Sequence, residues 1–222
     1  MKIAILYSGR VLNYDTYYKN FQKYIVQEHD VDIFFFHNKN QNEDISGFID
    51  LYKPKIVIDE DIPYDHDIIT TNISGMYMFY SRYFIFKAFK QYLLDNNCNY
   101  DYVCSCRLDI LPLHIVQFET LINDDNIVNI PNLANSAGCN DLMAIGSIGA
   151  MEKYFNLAEN YIELLIITNN TGSNEFILLS YLQKIGLNIN RFPYRCLLRD
   201  SIWENGGGYT KIYNCSENLI IE

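Results

Sequence analysis

Four short apolar runs, KIAILYSG, VDIFFFH, PKIVIDED and YDYVCSC, each end among polar residues and are separated by stretches with helical spacing. Alternation of this kind constrains a chain to a mainly parallel sheet, since parallel neighbours need crossover segments and the crossover helices must cover the sheet's faces. YDTYYKNFQKYIVQEH carries Tyr17, Phe21, Tyr24 and Ile25 at helical spacing, and SGFIDLYK predicts a short helix. Residues 74–95 predict the longest helix, with Ser74 as N-cap and apolar residues around most of its circumference, so it must be largely buried. Further strands are expected near 126–131 and 141–147, helices over 148–166 and 173–185 with Gly186 just past the end, and a last strand in LNINRFPY. The expected fold class is α/β, a mainly parallel sheet with helices on both faces. One domain is expected over 1–222, with residues 203–222 as a mobile tail placed to cover a site.

Forty-nine per cent hydrophobic residues, with 19 Tyr and 13 Phe, are ample for a packed interior. A net charge of −10 argues against sequence-independent nucleic-acid binding, which needs a dense cationic surface. An anionic ligand would have to be met by a few placed cations, helix N-terminal amides or a divalent metal. Six cysteines without a CxxC pair read as buried thiols, with Cys104 and Cys106 expected on opposite faces of the fourth strand. No signal peptide and no membrane span are recognised, so a cytoplasmic location is expected, where the sequons at Asn72, Asn169 and Asn214 go unused.

Ligands of open α/β sheets sit beyond the carboxyl ends of the strands. Those ends carry Ser8-Gly9-Arg10, His37-Asn38 and Arg107-Leu108-Asp109. Arg107 and Asp109 share a strand face, so they either pair with each other or hold a metal and a diphosphate between them. Ser8-Gly9-Arg10 offers amides and a guanidinium but is neither GxGxxG nor a Walker sequence. In GCND, Asn140 and Asp141 are candidates for sugar hydroxyls or for a base, against ordinary turn chemistry. Glu175 opens a helix in SNEF, where a carboxylate gains from the helix dipole in any case. HExxH, GxSxG and the EF-hand register are all missing, and DEDIPYDHD reads as a solvated acidic loop.

In this order the pieces resemble small nucleotide-sugar glycosyltransferases of the GT-A, Rossmann-like fold, of the kind found in bacteria and large DNA viruses. The resemblance runs over most of residues 1–200, through KIAILYSGR, YDYVCSCRLDIL and, most specifically, GCNDLMAIGSIGAMEKYFNL. It implies metal-assisted transfer of a sugar from a nucleoside diphosphate donor, UDP favoured, to a hydroxyl of a glycan or other acceptor. It places Ser8, Gly9, Arg10, His37, Ser81, Arg107 and Asp109 with the donor, Mn2+ or Mg2+ at Asp109, Asn140 and Asp141 with sugar or acceptor, and Glu175, with Asp141 as rival, as general base. Ser105 departs from the pattern, since a first arginine often stands there. The rival class is a module of the same fold that binds a nucleotide sugar without turning it over.

Overall fold

The computed structural model describes residues 1–11, 13–62, 73–133, 135, 138–168 and 173–198, together with the backbone of 211–213. The expected tail over 203–222, the three sequons and most of DEDIPYDHD lie outside the described residues, the backbone of 211–213 excepted.

The chain opens β1 (Lys2–Ser8), α1 (Tyr14–Phe21), β2 (Asp30–Asn38), α2 (Ser46–Tyr52) and β3 (Ile56–Glu60), with a π-helical continuation of α1 over Gln22–Val26. The long helix α3 (Ile73–Asn96) leads into β4 (Tyr102–Arg107). Then come β5 (Ile110–Pro112), β6 (Ile127–Pro131), β7 (Met143–Gly146), α4 (Ile148–Phe155), α5 (Leu157–Ile167), α6 (Asn174–Lys184), β8 (Asn188–Phe192), β9 (Cys196–Leu198) and β10 (Lys211–Tyr213).

The main sheet has the order β3-β2-β1-β4-β7-β6-β8. All its strands run parallel except β7, which is antiparallel to both β4 and β6. The α/β expectation therefore holds, with one reversed strand. A second, three-stranded antiparallel sheet joins β5, β9 and β10 just beyond Asp109.

Strand alternation divides the core in two. Ala4, Leu6, Phe34, Phe36 and Val103 face α3, α4, α5 and α6. Ile3, Ile5, Ile33, Phe35, Cys104 and Cys106 face α1, α2 and the small sheet. Cys104 and Cys106 thus share a face, correcting the expectation of opposite faces, because residues two apart on a strand point the same way. The predicted helix over 148–166 is two helices meeting at Asn156, the first capped by Ser147, whose Oγ accepts from the Ala150 amide at 3.0 Å. Gly186 ends α6 with φ of 68°, the left-handed conformation that favours glycine at such a position.

Where β7 pairs with β6 the ladder is thin, and a side chain completes it. Asn129 is fully buried; its Nδ2 donates to the carbonyls of Ile122 (2.8 Å) and Ile145 (3.0 Å), and its Oδ1 accepts from the Ile122 amide (3.0 Å) and from Asn190 Nδ2 (2.8 Å). Alanine here leaves the buried Ile145 carbonyl and the Asn190 amide without these partners. Asn129→Ala is expected to lower unfolding free energy by about 2 kcal/mol, read from urea melts; a loss below about 0.5 kcal/mol would mean that water replaces the network.

Candidate functional site

A cleft of about 640 Å3 opens at the carboxyl ends of β1, β2 and β4 and is closed on its far side by the first turns of α3. Its position follows from alternation. Ser8, Asn38 and Arg107 each end a strand on the face that Leu6, Phe36 and Val103 turn toward α3. Ser74, Tyr77, Met78 and Ser81, spaced as one side of a helix, form the opposite wall. Ser8 and Arg107 are direct register partners across β1 and β4.

Gly9 follows Ser8 with φ of 115°, a region side-chain-bearing residues rarely adopt, and its amide donates to the Phe36 carbonyl at 3.3 Å. This turn carries Arg10 to the cleft rim, where its Nε donates to Glu43 Oε1 at 2.6 Å and about half of the side chain stays exposed. The other Glu43 oxygen accepts from the Val11 amide at 2.9 Å, so the carboxylate fixes both loop and guanidinium.

At the end of β4, Arg107 grips Asp109 with two parallel hydrogen bonds, Nε to Oδ1 at 2.7 Å and Nη2 to Oδ2. Its Nη1 also reaches Asp141 Oδ1 at 3.4 Å. Burial works against the guanidinium's charge, but Asp109 and then Asp141 more than offset it, and its pKa lies above the ordinary value. Arg107 stays cationic at any pH the fold survives. Asp109 and Arg107 therefore do pair, and they pair at the cleft surface, each side chain between a quarter and a third exposed.

The cleft brings together Ser8, Gly9, Arg10, Ser81, Arg107 and Asp109 from the sequence-expected set. Ser81 is nearly buried and its hydroxyl donates to the Met78 carbonyl at 2.9 Å, which leaves its oxygen able to accept. His37 does not line the cleft. It lies on the Phe35 face, buried, with Nδ1 2.8 Å from Asp59 Oδ1 and Nε2 3.8 Å from Glu43. The residue that does line it is Asn38, one position on and therefore on the other face.

Asn140 does not line the cleft either: it is fully buried, donates Nδ2 to the Pro131 carbonyl and accepts from the Leu142 amide at 3.2 Å, contacts that shape the chain. Asp141 is buried beneath the cleft, its carboxylate on Arg107 and its carbonyl accepting from Arg82 Nη2 at 2.6 Å. Glu175 stands in the first turn of α6, half-buried; its neighbour Asn174 lines the cleft and Glu175 does not.

Two arginines escaped the sequence reading. Arg82, in the middle of α3, is buried against Asp141, with its Nη1 unpartnered among the described residues. Arg191 on β8 holds the loop before Asn140, donating to Asn135 Oδ1 at 2.7 Å and to the Gly138 carbonyl at 3.4 Å. A lone Arg in an apolar helix, RYFIF after MYMFYS, was the available signal for Arg82; nothing local marks Arg191.

The resemblance implies Mn2+ or Mg2+ at Asp109, and the residues present do not fit one. Such ions want a shell of oxygen ligands, whereas the Asp109 carboxylate is already paired with a guanidinium through both oxygens, and the Asp141 carboxylate is held by the same cation. Among the described residues no group of three or more His, Cys, Asp or Glu side chains comes together as a metal site.

Fold and site define a Rossmann-like α/β protein with an arginine-bearing cleft at the carboxyl ends of its strands. No family model and no curated protein matches the chain. Among solved structures it is similar to the apo form of the glycosyltransferase GlyE of Streptococcus pneumoniae TIGR4, at 12% identity and a TM-score of 0.47. The match covers 86% of this chain and 45% of that one, so this chain spans less than half of that protein's length. Among the described residues no helix is long and apolar enough to cross a membrane.

Proposed function

We propose that the chain is a glycosyltransferase that takes a sugar from a nucleoside diphosphate donor, UDP favoured, and passes it to a hydroxyl of a glycan or other acceptor. The observation that carries this reading is the convergence of Ser8, Gly9, Arg10, Ser81 and Arg107 on one cleft at the carboxyl end of a parallel sheet. Two guanidiniums suit a diphosphate, for which Arg is the preferred planar partner. Ser8, Asn38, Ser81 and Asn174 supply neutral donors and acceptors for ribose or sugar hydroxyls. In transfer, negative charge grows on the leaving diphosphate, and the arginines stand where stabilising it lowers the barrier. Metal assistance is no part of the reading, given the donor set at Asp109.

One observation favours a second reading. Asp141 is committed to Arg107 and Glu175 lies outside the cleft lining, so neither candidate carboxylate stands open to an acceptor hydroxyl. A module that binds a nucleotide sugar without turnover has this arrangement.

Calorimetry with UDP, GDP and a panel of their sugars, followed by assays of sugar release and transfer, separates the two. Binding of one nucleotide class with turnover is the expected result. Binding without turnover on any donor would establish the binding module, and no binding by folded protein would remove both readings.

A further inference from the structure

A guanidinium has five N–H donors, and among the described residues Arg107 uses three, two on Asp109 and one on Asp141. Two remain, and 29% of the side chain is exposed where the cleft lining passes. The two carboxylates therefore act as a brace. They hold the planar group in place and keep it charged, with two N–H donors left for a ligand. Arg82, buried behind Asp141, fixes that carboxylate's residue in turn through its carbonyl.

We infer that Arg107 takes the place of a divalent metal: anionic phosphates of a nucleoside diphosphate are held in this cleft by the braced guanidinium, without Mn2+ or Mg2+. The inference rests on the nucleotide-binding reading above and adds its charge chemistry. Arginine suits the role because its charge is permanent and its fork matches phosphate oxygens in two places. A dication beside Asp109 would share a carboxylate already paired with a guanidinium, sit against that like charge and find no cluster of further protein ligands among the described residues, so the arrangement favours Arg107 over a metal. Asp109 becomes a positioning residue for Arg107 rather than a metal ligand.

The experiment is calorimetric titration of UDP into the full chain, once in EDTA and once in Mn2+, with wild type, Arg107→Met and Asp109→Asn, each checked for folding by its thermal melt. Wild type is expected to bind equally, within about twofold, in the two buffers. Arg107→Met should weaken binding on the order of ten- to a hundredfold in both, as loss of a charge-assisted pair does. Asp109→Asn should weaken it severalfold, by the same factor with and without Mn2+, whereas loss of a metal ligand would show in Mn2+ alone. If Arg107→Met does not fold, Arg107→Lys keeps the charge without the fork and should show an intermediate loss. Wild-type binding that EDTA abolishes would overturn the inference and leave the nucleotide site standing. Absence of UDP binding in both buffers would overturn the two together.

Discussion

Gly138→Ala is expected to lower stability by about 3 kcal/mol, at the upper end of what overpacking usually produces, and to reduce ligand binding with it. A β-carbon at Gly138 would lie 2.2 Å from the Glu175 carbonyl oxygen, 2.3 Å from its carbon and 2.6 Å from the Phe176 nitrogen. All three are backbone atoms at the start of α6, so no side-chain rotation relieves the clash. The approach exists because the Cys139 amide donates to the Glu175 carbonyl at 2.9 Å, locking the loop before Asn140 and Asp141 to the helix that carries Asn174 into the cleft. Pushing the two apart moves Asp141 relative to Arg107 and Asn174 relative to the cleft wall. Chemical denaturation of the variant measures the first effect and UDP titration the second. A variant as stable as wild type would mean that the loop gives way without loss, and that it does not hold the site in register.

Alkaline pH is expected to unfold the protein well before its arginines titrate. Burial raises the thiols of Cys104 and Cys106 far above their ordinary range, that of Cys139 to about 11 and that of Cys196 to about 12. In the unfolded chain these thiols ionise near pH 8.5 to 9. Above that pH the unfolded state releases protons that the native state keeps, so stability is complete below about pH 8.5 and falls as pH rises toward 11. Each thiol contributes roughly 1.4 kcal/mol per pH unit within that window, and four together reach several kcal/mol per unit. The buried Tyr7, Tyr154 and Tyr194, raised by burial too, join above pH 10. Set against a typical total of 5–15 kcal/mol, this should bring the melting midpoint to room temperature near pH 11. Melts followed by circular dichroism in reductant, from pH 8 to 11, check it. A midpoint unchanged at pH 10.5 would show that the thiols ionise in the folded state and are therefore not buried as described.

Much of the architecture was legible along the chain because its signals are local. Although Ser74, expected as the cap of α3, lies inside that helix, which already includes Ile73, apolar runs of strand length, helical spacing between them and Gly186 at a helix end each depend on a few neighbouring residues. So do the Gly9 turn and the placing of Ser8, Arg10, Arg107 and Asp109 at strand ends, all of which reach the cleft. Faces were half legible. Alternation separates His37 from Asn38 with certainty, but which of them meets ligand depends on which face α3 covers, and nothing near residue 37 records that.

By itself, then, the sequence determined an α/β sheet with a polar site at its strand ends, since dihedral preference and side-chain period are properties of short segments. Tertiary structure alone decided that β7 runs backwards between β4 and β6, that β5 finds β9 some 85 residues on, and that Arg107 meets Asp141 as well as Asp109. Such contacts join segments far apart in the chain, and many alternative pairings satisfy the same local pattern. The choice among them is made by packing two apolar layers without voids and by the need of each buried charge for a counter-charge. That need turns a strand-end arginine into a braced cation, and only the folded chain contains it.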